Sequence, residues 1–203
     1  MRTRLALAVG VAIPVFAACT DRGTSPVDQE RDAHHPGKAS ALILPATLPA
    51  YMQLDDASAR GTRGSLHLAV DAGGEIPRHA DAFIRSVPVF GYAWVDVATA
   101  RGVVAVIHPA IGRDSRQNPD GWHTHPVQLD AGTASSTFCI VALGTTQGGI
   151  AIHDDELALN MALRQARIPA DALDAAVSFI VQPDAGCTAT GLGVVVLDLE
   201  ALP

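Results

Sequence analysis

The chain has 203 residues, with 21 acidic side chains against 14 basic ones and a formal net charge of −7. This length suits one domain of ordinary size together with short terminal segments. The acidic balance, without a cluster of Lys or Arg, argues against nucleic acid as a partner and against electrostatic docking on anionic lipid, because both need concentrated positive charge.

The N-terminal segment has the pattern of an export signal. Arg2 and Arg4 supply a positive start, residues 5–16 form an apolar run, and Ala17-Ala18 precede Cys19. A charged start, an apolar core of ~7–15 residues and a small-residue cleavage site define a secretory signal. The segment resembles the signal peptide and lipobox of a bacterial lipoprotein, although Phe16 stands where Leu is usual.

The resemblance implies that Cys19 receives the lipid and becomes the new N-terminus of a lipid-anchored cell-envelope protein. Thr20, rather than Asp, follows the cysteine, which favours the outer membrane facing the periplasm. Loss of Arg2 and Arg4 leaves 12 basic against 21 acidic residues, a net charge of −9, so the lipid would be the membrane attachment. The alternative is an ordinary signal cleaved near Ala18, with Cys19 left as a thiol.

The chain is predicted to have three parts. Residues 1–18 form the signal peptide, 19–40 a flexible tether, and 41–203 a single β-rich domain. The tether is polar and lacks apolar periodicity, so it cannot bury enough surface to offset the entropy of ordering.

The domain contains many short apolar runs that are rich in Val, Ile and Phe and separated by Gly, Pro, Asp and Asn, a pattern typical of strands. The predicted strands are 64–70, 89–97, 102–108, 122–129, 137–143, 148–153, 175–182 and 191–199. In 89–97 residues of both parities are apolar, which indicates a strand covered on both faces.

One helix is predicted after Asp154-Asp155, which would cap it. Leu159, Ala162, Leu163 and Ala166 fall on one stripe at helical spacing. Many strands with one helix predict a mainly β fold, either a β-sandwich or a partly open barrel with one covering α-helix.

Cys139 and Cys187 are the two cysteines that remain once Cys19 is lipidated. An even count in an oxidising compartment predicts a disulfide between them. The alternative is a pair of buried free thiols.

The segment Trp122-His123-Thr124-His125 offers the most specific candidate chemistry. Residues two apart in a strand project from the same face, so His123 and His125 could bind one metal ion. Neutral imidazoles suit Cu and Zn, and His108 or His153, each at the end of a predicted strand, could complete the site. The alternative is that these histidines are strand-end residues hydrogen-bonded to loops.

No motif of a hydrolase elbow, a zinc protease or a nucleotide-binding loop is present. The sequence therefore favours a binding or structural module, with transition-metal binding as its testable chemistry. A metal-dependent periplasmic enzyme and a metal-free β-sandwich that binds a ligand or a protein are the alternatives. The protein or small-molecule partner is not specified by the sequence.

Overall fold

The structure is a computed structural model, and it describes residues 44, 46–108, 121–144 and 148–203. Strands make up most of this part of the chain, which confirms the mainly β prediction. They are Leu54–Thr62 (β1), Ser65–Ala72 (β2), Val89–Asp96 (β3), Arg101–Ile107 (β4), His123–Ala131 (β5), Phe138–Leu143 (β6), Gly149–His153 (β7), Glu156–Ala162 (β8), Ala175–Pro183 (β9) and Leu192–Ala201 (β10).

The helices of the described residues are short. A four-residue α-helix, α1, spans Leu163–Ala166, and 3-10 helices span Ala50–Met52, Ile84–Ser86 and Ala170–Ala172. The predicted signal peptide, the tether and Cys19 lie outside the described residues. No helix of the described part is both long enough and apolar enough to cross a membrane.

The strands form two antiparallel units. Six of them close into a barrel in the order β10-β6-β5-β4-β3-β9, and the other four form an open sheet in the order β1-β2-β8-β7. The closed barrel replaces the sandwich or partly open barrel that the sequence predicted.

The sheet packs on the outer face of β3, β4 and β9 through one hydrophobic core. Phe90, Tyr92 and Trp94 of β3 are fully buried in this core, together with Leu66 of β2 and Leu157 of β8. The alternate residues of β3, such as Ala93 and Val95, contribute to a second hydrophobic cluster, which lies inside the barrel. The prediction that 89–97 is covered on both faces is therefore confirmed.

The predicted helix after Asp154-Asp155 is wrong for most of its length, because residues 156–162 form β8. Leu157, Leu159 and Met161 are all at most 3 % exposed, so burial follows period two rather than the helical stripe. Asp154 adopts φ 53° in the turn that joins β7 to β8, a conformation that Asp tolerates. Those aspartates therefore make a hairpin turn instead of capping a helix.

All eight predicted strands are present, with ends shifted by at most two residues. The strand β1 was not predicted, because its sequence is polar and contains two adjacent aspartates. β1 is an edge strand that pairs only with β2 among the described strands, so polar side chains cost little there.

Candidate functional site: the lumen of the barrel

The interior of the barrel, which we call the lumen, is a cavity of about 530 Å³. All six barrel strands contribute alternate side chains to its wall. The apolar residues that line it are Val89, Ala93, Val95, Val97, Ala100, Val104, Val106, Val127, Leu129, Phe138, Ile140, Leu143, Val177, Phe179, Val181, Leu192, Val194 and Val196. The other residues at its wall are Asp96, His108, His125 and Gly144.

Two of the predicted site histidines stand on one face of β5. His123 lies opposite Val106 of β4, and His125 lies opposite Val104, so both imidazoles share the lumen side of the strand. His108 follows directly after the end of β4 and meets His123 there. The antiparallel pairing of β4 with β5 therefore brings three histidines to one end of the barrel.

The three rings form a continuous cluster. The Nε2 atoms of His108 and His123 are 3.0 Å apart, and the ring centroids of these residues are 4.7 Å apart. The ring of His125 lies 5.0 Å from that of His123 in an edge-to-face arrangement. All three side chains are buried, with exposures of 7–9 %.

Backbone carbonyls hold the rings of β5 in place. Nδ1 of His123 donates to the carbonyl oxygen of Gly121 at 3.0 Å, and Nδ1 of His125 donates to that of Gly144 at 2.8 Å. A carbonyl accepts only, so Nδ1 carries the proton in each ring. In the neutral form the lone pair is then on Nε2, and Nε2 of His123 accepts the hydrogen bond that Nε2 of His108 donates.

His153 stands apart from this cluster. It is exposed and ends β7 in the four-stranded sheet, opposite Glu156. Within the described ranges, no group of three or more His, Cys, Asp or Glu side chains is arranged to hold a metal ion.

Asp96 marks the opposite end of the lumen, where β3 turns into β4. Its carboxylate accepts hydrogen bonds from Oγ1 of Thr99 at 2.6 Å and from the backbone N–H of Thr99 at 3.0 Å. These bonds, that of the hydroxyl above all, lower the pKa of Asp96. The lumen thus has a histidine cluster at one end and apolar walls along the rest of its length, with Asp96 at the turn that borders the other end.

The predicted pairing of Cys139 with Cys187 is present. Their Sγ atoms are 2.08 Å apart and their Cα atoms 5.1 Å apart, as in a disulfide. The bond joins β6 to the connection between β9 and β10, beside the lumen.

Neither the protein-family models nor the curated proteins and solved structures compared with the chain match it.

The lumen was not predicted from the sequence. A sequence feature that points to the lumen is the presence of apolar side chains on both faces of some strands. In a closed barrel with a sheet packed on its outside, such strands face an apolar environment on each side. What was missing was the strand order, which decides that the second environment is a hollow interior.

Proposed function

We propose that this chain is a lipid-anchored cell-envelope protein whose barrel binds a small, mainly apolar molecule in its lumen. The observation that carries the proposal is the apolar cavity of about 530 Å³ inside the closed barrel. Its anchoring and its place in the envelope follow from the lipoprotein-like segment that ends at Cys19.

Packing supports this function. Protein interiors are normally filled to the density of organic crystals, with few voids larger than a water molecule. Pockets that bind small molecules typically measure ~300–1,000 Å³ and have mainly apolar walls with a few polar groups. The lumen matches that description, and small barrels are known to hold one ligand.

The test is binding of a neutral apolar fluorophore, N-phenyl-1-naphthylamine, to the predicted mature chain, residues 19–203, with Cys19→Ala. This form lacks both the apolar run 5–16 and the predicted lipidation site, so the protein can be handled without detergent, which would compete for the lumen. We expect one probe per chain with an increase in fluorescence. Val177→Phe replaces a small side chain of the lumen with a bulky aromatic ring and should abolish binding of the probe. Val104→Phe is an independent second variant at the same wall.

The matched control is Ala142→Phe. Ala142 is an exposed residue of β6 and does not line the lumen, so this variant should bind the probe as the parent chain does. Circular dichroism spectra would show that each variant keeps its strands. Absence of stoichiometric binding in the parent chain, or undiminished binding in both lumen variants, would contradict the proposal.

A second candidate function is binding of Cu(II) by the histidine cluster. Metal–nitrogen bonds of ~2.0–2.1 Å place two nitrogens about 3.4 Å apart in a tetrahedral site and about 2.9 Å apart at a right angle. To bind the metal, Nε2 of His108 would give up the proton that it donates to Nε2 of His123. The 3.0 Å between these two atoms is closer to the right-angle value of a tetragonal Cu(II) site than to the tetrahedral value of Zn. Carbonyl-anchored Nδ1 atoms are a common support for metal-binding imidazoles.

Among the described residues, no third ligand is arranged with His108 and His123 to hold a metal ion. The expected result is stoichiometric copper in protein purified after dialysis against Cu(II), lost in the His123→Ala/His125→Ala double variant. His79→Ala, which changes an exposed histidine, is the matched control and should keep the metal. Equal metal content in the double variant and the parent chain would refute this candidate.

A further inference from the structure

One edge of the barrel is closed by a much shorter ladder than the others. Among the described residues, β10 pairs with β6 through Gly193–Cys139 and Val194–Phe138 alone, whereas its ladder with β9 extends along the whole of β10. A backbone hydrogen bond from Thr137 to the carbonyl oxygen of Val194 extends the contact by one step. We call this edge the seam.

The connection 184–191 between β9 and β10 fastens the seam from the outside. The disulfide ties Cys187 to Cys139 of β6, and the hydroxyl of Thr190 donates to the carbonyl oxygen of Ile140 at 2.6 Å. Both cysteines are buried, with exposures of 1 % and 8 %. This connection therefore holds β6 where the ladder itself is short.

Asp184 adds a second fastening. Its carboxylate accepts hydrogen bonds from the hydroxyls of Ser136, at 2.6 Å, and Thr133, both in the connection between β5 and β6. A side chain at position 193 would collide with Ser136 and Asp184, so the strands approach here over a glycine. The contacts that close the seam are thus largely side-chain contacts rather than ladder hydrogen bonds.

The seam lies directly over the lumen. Phe138 and Ile140 on the β6 side, and Leu192 and Val194 on the β10 side, all line the cavity. Separating these two strands would open the lumen laterally at the cost of few backbone hydrogen bonds. Opening between any other pair of barrel strands would break a longer ladder.

We propose that the seam is the entrance of the lumen and that the Cys139–Cys187 disulfide is its latch. The inference rests on the proposed ligand-binding function and concerns its regulation. With the disulfide closed, the ligand exchanges slowly. When the disulfide is reduced, β6 and β10 separate more often, so the ligand both binds and dissociates faster.

The test is stopped-flow measurement of N-phenyl-1-naphthylamine exchange in the predicted mature chain, residues 19–203, with Cys19→Ala. The disulfide is removed by Cys139→Ser/Cys187→Ser, or reduced in the parent chain with dithiothreitol. In the reduction, the dithiol gives two electrons and two protons, the S–S bond becomes two cysteine thiols, and the dithiol becomes a cyclic disulfide. We expect both rate constants to rise by at least about tenfold, with little change in their ratio, because a latch changes the barrier and not the bound state.

The control is a variant that loses stability without touching the seam. Leu157→Ala truncates a fully buried residue of β8 in the core between the sheet and the barrel. If ligand exchange proceeds by seam opening, this variant should exchange at nearly the parent rate. Asp184→Asn, which loosens the seam with the disulfide intact, should give a smaller increase than the double serine variant.

The outcomes separate the two proposals. Stoichiometric binding with unchanged rates after loss of the disulfide would overturn the latch and leave ligand binding in place. Equal acceleration in Leu157→Ala would mean that exchange follows global unfolding, which also overturns the latch. A parent chain that binds no probe would overturn both.

Discussion

Removal of the disulfide should cost the protein about 4 kcal/mol of stability. Cys139 and Cys187 are 48 positions apart, so their bond closes a loop of about 49 residues. In the chain-entropy model, cross-linking such a loop removes roughly 14 cal/mol/K from the denatured ensemble, which is about 4 kcal/mol at 25 °C. The expected loss for Cys139→Ser/Cys187→Ser is therefore a large part of the ~5–15 kcal/mol that stabilises a typical domain.

Urea unfolding followed by circular dichroism measures this loss. The parent chain in a dithiol reductant should unfold at the same midpoint as the double serine variant. Val141→Ser is the matched control, because it changes a partly exposed residue of the same strand, and surface substitutions usually stay within ±0.5 kcal/mol. A loss below about 1 kcal/mol would refute the reasoning, since it would mean that the reduced, denatured loop is already restrained.

Three further predictions test other parts of the structure. Leu159→Ala should cost ~2–5 kcal/mol in urea unfolding, because this 1 %-exposed residue lies between the sheet and the barrel; a negligible cost would refute the placement of β8. Hydrogen bonds from Ser136 and Thr133 lower the pKa of Asp184 in the folded state, so their stabilising effect is present above the unfolded pKa of ~3.9 and is lost as the pH falls through the folded value. The stability difference between the parent chain and Asp184→Asn should therefore be constant from about pH 7 to 5, begin to narrow near pH 4 and close once the pH is below the folded pKa. A difference that persists in stronger acid would contradict this. Labelling of cells with a clickable fatty acid should mark the parent chain but not Cys19→Ala, and equal labelling would exclude lipidation at that residue.

The mistaken helix shows where periodicity alone fails. Leu159, Ala162, Leu163 and Ala166 fit a helical stripe, and the same segment also places Leu157, Leu159 and Met161 at every second position. Local sequence satisfies both patterns. The segment forms a strand because β2 and β7 pair with it on its two sides and provide hydrogen-bond partners for its backbone groups. Such long-range pairing is not visible in a window of ten or fifteen residues.

The histidine cluster was predictable in part, for a related reason. The shared face of His123 and His125 follows from the alternation of any strand, and it is present in β5. Choosing between His108 and His153 as a neighbour required knowing which strands pair. β4 lies beside β5, so His108 meets His123, whereas β7 belongs to the other sheet and leaves His153 exposed.

Residue size on the two faces of β3 explains why the barrel interior is hollow. The face towards the sheet carries Phe90, Tyr92 and Trp94, which fill the core between the two units. The face towards the lumen carries Gly91, Ala93 and valines, and the facing positions of β4 and β9 are again mostly valines.

Both faces of β3 are apolar, but their side chains differ in size. A barrel that served only as a rigid support would gain stability from larger inward residues, because filling a void restores lost packing contacts. Valine and alanine hold most of the inward positions of β3, β4, β9 and β10, and this distribution supports the proposal that the interior holds a ligand.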